Sequence, residues 1–164
     1  MQKVSKYISV ESLETIQGND VPKMLVKAYC DERTAFLQYE QAWHQARGVG
    51  YCDVVDEYKQ HQNEENEHAM QILQRLEQIG IIIRLDYKQI SELGNPWTPI
   101  TTSDVKEQLD ILIKAEDDAA NFYGSIYKTA REVEDFVTMR LIRQLMADEV
   151  EHKTDLQRIR EHLG

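Results

Sequence analysis

Four long stretches of the chain carry apolar residues at intervals of three and four, the spacing that places side chains on one face of an α-helix. They predict helices over residues 22–47, 52–79, 104–130 and 133–163. The inward face of the last helix is predicted to run through Val137, Leu141 and Leu145. Gly48 and Gly50 mark a short turn after the first helix, so the first two helices are expected to be antiparallel neighbours.

The connection between the second and third helices is much longer. It covers residues 80–103 and includes a candidate short helix over 86–93, and about 20 residues are enough to cross the length of a bundle. This arrangement predicts an all-α four-helix bundle with up-down-down-up topology and one long crossover. We assign residues 1–21 to an N-terminal arm, with a candidate helical turn near residues 10–16, and residues 22–164 to the bundle.

Acidic and histidine side chains occupy inward positions where the helical period expects apolar residues. The first and third helices each carry one such glutamate, and the second and fourth each carry a Glu-x-x-His pair, whose members share one helix face. Equivalent residues of the two halves lie 84 positions apart. The predicted inward cluster consists of Glu32, Glu65, His68, Glu116, Glu149 and His152.

Four buried carboxylates facing one another would repel, and most would have to hold a proton. Two divalent cations resolve this, because their charge balances four carboxylates beside two neutral imidazoles. Carboxylate with imidazole suits iron, manganese or zinc. The alternative is a set of solvated acidic faces. It fits Glu64, Glu67, Asp117, Asp118 and Glu151 in part, but not the four inward glutamates.

Several neighbouring residues leave two interpretations open. In one interpretation Tyr39 and Tyr123 hydrogen-bond to the ligands or supply an electron, and Tyr39 is then a catalytic candidate. In the other interpretation both tyrosines only fill the core. Glu64 and Asp148 either orient the imidazole of the opposite half or are solvated acids. His61 either passes iron inward or is an ordinary polar residue.

Charge and composition narrow the function classes. The net charge of −10 argues against a nucleic-acid partner. No apolar run approaches the roughly 20 residues that span a bilayer, and the first residues lack the apolar stretch of a signal peptide. We therefore expect no membrane partner and a cytoplasmic location, with Cys30 and Cys52 as free thiols.

Over residues 22–163 the chain resembles the ferritin-like di-iron proteins, and bacterioferritin most closely. The resemblance implies a ferroxidase centre with two iron ions per chain, for which manganese or zinc could substitute. It would oxidise Fe(II) with O2 or H2O2 and store Fe(III) as mineral. Glu65 and Glu149 would bridge the metals, Glu32 and Glu116 would be terminal ligands, and His68 and His152 would each bind one iron. The matching segments are Asp31-Glu32 with Gln38-Tyr39, Glu65-Asn66-Glu67-His68-Ala69, Ala115-Glu116-Asp117-Asp118 and Asp148-Glu149-Val150-Glu151-His152.

The resemblance also has departures. Asn66 stands where bacterioferritin has its haem-binding Met, so no haem is expected. The sequence ends twelve residues after His152, which is too few for a fifth helix. In lacking a fifth helix the chain is more similar to the smaller Dps-like cage proteins. We therefore expect a homo-oligomer built from dimers, with twelve chains. Ile81, Ile82, Ile83 and Trp97 either face a partner or fold back over the bundle.

Two other functions remain open. One is a rubrerythrin-like peroxidase or a manganese catalase, which would use the same centre without storing mineral. The other is a non-catalytic helical scaffold that bound metal stabilises. Iron loading well beyond two ions per chain would separate storage from both of these alternatives.

Overall fold

The computed structural model describes the backbone of residues 6–8 and, in full, residues 20–164. Four long helices in this part of the chain form the bundle, and all four predicted helices are confirmed to within three residues at each end. The candidate helical turn near residues 10–16 lies outside the described residues. The elements are β1 (Lys6–Ile8), α1 (Val21–Gln45), α2 (Tyr51–Gln78), β2 (Ile81–Ile83), α3 (Tyr87–Leu93), α4 (Val105–Glu132) and α5 (Phe136–His162).

The topology is the predicted up-down-down-up arrangement. Helix α1 packs along α2, and α4 packs along α5. The crossover then returns the chain to the far end of α1, where the Arg47 backbone N–H donates to the Ser103 carbonyl over 3.0 Å. On the way it lies against α1, since the Gln38 side chain donates to the Thr98 carbonyl over 2.7 Å. Helices α1 and α4 therefore start at opposite ends of the bundle.

Local residue chemistry sets the helix ends. Gly80 follows α2 with a φ of +85°, a left-handed conformation that glycine adopts without steric cost. The break between α4 and α5 lies later than predicted, because α5 begins only after Asp135. The Asp135 carboxylate accepts from the Thr138 backbone N–H over 3.0 Å and caps the helix.

The predicted inward face of α5 is wrong at its beginning. Val137 is 57% exposed, whereas Thr138 and Ile142 are fully buried. The predicted face places Leu145, Leu141 and Val137 at intervals of four residues before Glu149. Each interval of four residues exceeds the 3.6-residue helical period by about 40°. After three steps the face has rotated by about 120°, so Val137 points away from the core.

A short parallel ladder lies beside the bundle and was not predicted. Lys6 pairs with Ile81, Tyr7 with Ile82 and Ile8 with Ile83. Ile81 is 6% exposed and packs in the core, and Ile83 packs against it. Of the two interpretations of the isoleucines, folding back over the bundle is therefore the correct one for these two residues. Trp97 remains 38% exposed.

Two apolar clusters fill the bundle, one towards each end. One contains Leu25, Ile72 and Ile142, and the other contains Ala42, Leu109 and Leu156. The inward acids and histidines separate the two clusters along the helices. Among the described residues, no helix is both long enough and apolar enough to cross a membrane.

Candidate metal centre

The six predicted ligand residues lie together in the middle of the bundle. Each of the four long helices contributes to the cluster, α1 and α4 with one glutamate and α2 and α5 with a Glu-x-x-His pair. All six are buried although all are polar, with exposed fractions of 3% or less for Glu32, Glu65, His68, Glu116, Glu149 and His152.

These side chains form two overlapping groups of possible ligand atoms. The first ligand set contains Glu32, Glu65, His68 and Glu149. The second ligand set contains Glu65, Glu116, Glu149 and His152. Within each set the ligand atoms all lie within 4.8 Å of one another. Glu65 and Glu149 belong to both sets, so one carboxylate from α2 and one from α5 lie between the two.

Both imidazoles turn the same nitrogen towards the shared carboxylates. His68 Nδ1 lies 3.1 Å from Glu149 Oε1 and 3.5 Å from Glu65 Oε2. His152 Nδ1 lies 3.3 Å from Glu65 Oε1 and 3.4 Å from Glu149 Oε2. The halves of the chain thus place their histidines in nearly equivalent positions, as the repeat in the sequence leads one to expect.

Many polar atoms of the cluster lack a hydrogen-bond partner in the described part of the chain. They are Glu32 Oε2, Glu65 Oε1, both Glu149 oxygens, His68 Nδ1 and His152 Nδ1. A buried polar atom without a partner costs about 1–3 kcal/mol, so such atoms are rarely left unsatisfied without a reason. All are oxygen or imidazole nitrogen, the donors that iron, manganese and zinc accept. The residues therefore fit a pair of divalent metal ions.

Two tyrosines donate hydrogen bonds to Glu32 and Glu116 crosswise between α1 and α4. The Tyr39 hydroxyl of α1 donates to Glu116 of α4, and the Tyr123 hydroxyl of α4 donates to Glu32 of α1. Of the interpretations left open by the sequence, hydrogen bonding to the cluster is correct for both tyrosines. Each bond leaves the second oxygen of its carboxylate available to a metal.

Two further acids lie behind the histidines. Glu64 Oε2 is 2.6 Å from His152 Nε2, and Asp148 Oδ2 is 3.5 Å from His68 Nε2. Glu64 and Asp148 each face the imidazole of the opposite half, as one interpretation of the sequence proposed. A carboxylate at Nε2 favours a hydrogen on that nitrogen, so Nδ1 keeps its lone pair for a metal.

The pKa values of the metal-free cluster reflect how closely its carboxylates and imidazoles lie together. Burial, followed by the charges of Glu65 and Glu149, raises the pKa of the Glu116 carboxyl well above its usual value, and the pKa of Glu32 is raised for the same reasons. Burial alone would lower the pKa of His152, but the contacts with Glu149 and Glu65 outweigh it and raise the pKa to about 12. These raised pKa values favour the protonated forms of Glu32, Glu116 and His152 when no metal is bound.

His61 lies beside the cluster and is 1% exposed. Its Nδ1 is 3.1 Å from the Tyr39 hydroxyl, and its ring stacks on that of His152 with 4.1 Å between centroids. Sequence reasoning missed two neighbours of His61. Glu57 and Asp155 approach it from α2 and α5. The spacing of Glu57 and His61, four residues apart, was the available signal, but the contribution of Asp155 depends on how the two helices pack.

Comparison with known proteins assigns the family. The model of the ferritin-like domain family matches residues 22–163. Among curated protein sequences, none is similar enough to match the chain.

Solved structures share the fold. The dodecameric thioferritin of Bacteroides fragilis, a bacterioferritin-related protein, is 27% identical with a TM-score of 0.82, and the match covers 91% of each chain. Desulfovibrio desulfuricans bacterioferritin, described with a diiron site, is 22% identical over 87% of this chain and 79% of that one, with a TM-score of 0.76. Dps from Thermosynechococcus elongatus is 16% identical over 90% and 91%, with a TM-score of 0.79.

Proposed function

The chain belongs to the ferritin-like domain family, and we propose that within this family it is an iron storage and detoxification protein with a di-iron ferroxidase centre. The proposed reaction oxidises Fe(II) to Fe(III) with O2 or H2O2, and the Fe(III) is stored as mineral inside a cage of identical chains. One observation carries this proposal. Two ligand sets that share two carboxylates lie side by side, with unsatisfied oxygen and nitrogen atoms in both.

Each ligand set would hold one iron ion. Glu32 and His68 would be the terminal ligands of the first, and Glu116 and His152 those of the second. Glu65 and Glu149 would bridge the two ions. Four carboxylates would then balance the charge of two divalent cations, while both imidazoles are neutral. Manganese or zinc would fit the same donors. Asn66 follows the bridging glutamate of α2, and no haem is part of the proposal.

Bound Fe(II) would supply the electrons that reduce the oxidant. The protein supplies position. Shared carboxylates suit metal ions roughly 3.5–4 Å apart, close enough for one oxidant molecule to react with both. The Tyr39 and Tyr123 hydroxyls fix the terminal carboxylates, and Glu64 and Asp148 fix the imidazoles. The apolar clusters pack the bundle on either side of the ligands along its length.

Assembly is part of the proposal. The Bacteroides fragilis relative is described as dodecameric. We propose that this chain likewise forms a homo-oligomer, with a twofold dimer as the unit and twelve chains in the shell. We also place the reaction in the cytoplasm, with no membrane and no nucleic acid as partner. The net charge of −10 supports the last point, because clustered Lys and Arg supply most non-specific affinity for phosphates.

Aerobic addition of Fe(II), followed by size-exclusion chromatography with iron and protein detection, tests storage. We expect iron well beyond two ions per chain to elute with the protein in an oligomeric peak. Iron limited to two ions per chain, or a monomer at micromolar concentration, would contradict the storage proposal. Peroxide consumption without iron loading would indicate the peroxidase or catalase alternative instead.

Stopped-flow mixing of Fe(II) with O2, and separately with H2O2, tests the centre itself. Glu65→Ala or Glu149→Ala removes a ligand from both sets and should abolish the fast oxidation phase. Glu77→Ala and Glu161→Ala are matched controls, because they remove exposed acids from the same two helices. Fast kinetics that persist in both bridging variants, with the helical fold confirmed by circular dichroism, would place the reaction elsewhere.

Tyr39→Phe separates the two roles of that tyrosine. The variant loses the hydroxyl that donates to Glu116 but no metal ligand. We expect it to bind two metal ions per chain as the unmodified protein does. A change confined to the steps after the fast phase would support an electron-donating role. Loss of metal from the variant would show that the hydroxyl is needed to hold Glu116 in place.

A further inference from the structure

A third group of ligand-type side chains lies beside the two ligand sets and shares no residue with them. Glu57 and His61 come from α2, and Asp155 comes from α5. Their ligand atoms all lie within 4.8 Å of one another. His61 is 1% exposed, whereas the Glu57 and Asp155 side chains are 27% and 31% exposed. A buried imidazole thus meets two carboxylates that reach solvent.

The hydrogen bonds around His61 leave one of its nitrogens facing a carboxylate. The Tyr39 hydroxyl donates its hydrogen to Glu116, so its oxygen can only accept from His61 Nδ1. In a neutral imidazole the hydrogen is then on Nδ1, and Nε2 carries a lone pair. That lone pair faces Glu57 Oε1 at 3.1 Å. Two electron-rich atoms so placed repel each other, and either a proton or a metal ion between them removes the repulsion.

The distance between these two atoms suits a shared metal ion. Metal bonds to imidazole nitrogen and carboxylate oxygen are about 2.1 Å long. Two ligand atoms 3.1 Å apart, each about 2.1 Å from one ion, subtend an angle of about 95° at that ion. This is close to the right angle between neighbouring ligands of an octahedral ion, so Glu57 and His61 can bind the same cation side by side.

Asp155 completes the group from the opposite helix. Its Oδ1 accepts from Arg158 over 2.9 Å, but the Arg158 side chain is 73% exposed, and exposed pairs of this kind contribute little. Its other oxygen is free of that bond. Burial, followed by the charges of Asp155 and Glu64, raises the pKa of the Glu57 carboxyl. The same negative potential favours a cation at this place.

Two members of the group line the same cavity as the histidines of the two ligand sets. This cavity of about 250 Å³ between α2 and α5 is lined by His61 and Asp155 and also by His68 and His152. The rings of His61 and His152 are stacked. An ion held by Glu57, His61 and Asp155 would therefore be next to the second ligand set without using any of its residues.

We propose that Glu57, His61 and Asp155 form a third binding site for a divalent transition-metal cation. Imidazole with two carboxylates suits Fe(II), Mn(II), Co(II) or Zn(II). The site does not depend on the ferroxidase proposal, because its three residues are separate from both ligand sets. A divalent ion bound at this third site would lie beside the two buried ligand sets.

Calorimetric titration of the metal-free, full-length protein with Co(II) in the absence of oxygen tests the site. We expect three ions per chain for the unmodified protein and two for the double variant Glu57→Gln, Asp155→Asn. The double variant Asp56→Asn, Glu161→Gln is the control, since it removes two exposed negative charges from the same helices and should still bind three. Anomalous diffraction at the cobalt edge would place the third ion beside His61.

A third arm separates this site from the ferroxidase centre. The double variant Glu65→Ala, Glu149→Ala should lose two ions and keep one. If the unmodified protein and the Glu57→Gln, Asp155→Asn variant bind the same number of ions, the third site is refuted, and a proton between His61 and Glu57 explains their contact. If the unmodified protein binds one ion that only the Glu57→Gln, Asp155→Asn variant loses, the third site stands and the di-iron proposal fails.

Discussion

Metal binding to the buried cluster should release a defined number of protons. Four of its groups favour their protonated forms in the metal-free protein, because burial and neighbouring charges raise the pKa of Glu32 and Glu116, and contacts with carboxylates outweigh burial and raise the pKa of His68 and His152. All four must lose that proton to bind metal. Filling both ligand sets should therefore release about four protons per chain.

The sign of the pH dependence follows. The four pKa values are raised without metal and fall when metal binds, so protons compete with the ions and affinity drops as the pH falls. With about four protons exchanged, the combined association constant of the two ions should fall by about four orders of magnitude for each pH unit near neutrality. Calorimetric titration with Zn(II) in two buffers of different ionisation enthalpy measures the number of protons.

Variants provide the internal check. The double variant Glu32→Gln, Glu116→Gln lacks two of the four proton-holding groups and should release about two protons per chain. Glu77→Gln changes an exposed acid on α2 and should still release about four. Neutral His61 adds none, because burial and the neighbouring His152 lower its pKa to about 4. Release of fewer than two protons by the unmodified protein, or equal release with the double variant, would refute the proton count.

Three further predictions concern stability, thiols and nucleic acid. Asp135→Ala removes the cap of α5 and the 2.7 Å ion pair with Arg75, and should lower the free energy of unfolding in urea by about 1–3 kcal/mol. Burial alone would raise the pKa of Asp135, but the hydrogen bonds from Thr138 and Arg75 outweigh it and lower the pKa. The stability that Asp135 contributes should therefore be lost as the pH falls below the ordinary carboxyl pKa of 3.8. An unchanged urea midpoint of Asp135→Ala at pH 7 would contradict the predicted loss of stability. Exposed Cys52 should react with a thiol reagent in the native protein, whereas buried Cys30, whose pKa burial raises to about 12, should react only after unfolding; two fast thiols would contradict the structure. Duplex DNA should not shift in a gel at physiological salt, given the net charge of −10, and a tight complex would contradict that expectation.

The helical period alone was enough to predict the centre of the bundle. Glu65 and His68 interrupt an apolar face that otherwise continues through Ile72 and Leu76, and the structure buries all four. Helix ends with strong local signals, such as Gly80, were also predictable. These features depend on residues close in sequence, where spacing fixes which side chains share a face.

Features that depend on packing between distant segments could not be predicted in the same way. The ladder of β1 with β2 joins residues about 75 positions apart through three-residue strands, which leave almost no pattern. Arg75 of α2 donates to the Thr138 hydroxyl over 2.8 Å, although the two residues are 63 positions apart in the sequence. Asp155 joins Glu57 only because α2 and α5 are neighbours. In each case the partner lies in another element, and no local rule selects it.

The crosswise bonds of Tyr39 and Tyr123 also fix how the two hairpins slide against each other. Each hydroxyl comes from one hairpin and each accepting carboxylate from the other. A slip of one helical turn, about 5.4 Å, would break both bonds at once, and it would move Glu149 away from the first ligand set and Glu65 away from the second. Apolar faces tolerate such slips, because one leucine can replace another in a similar gap. The two hydroxyls do not tolerate them, so they set the relative height of the hairpins to that at which both ligand sets are complete.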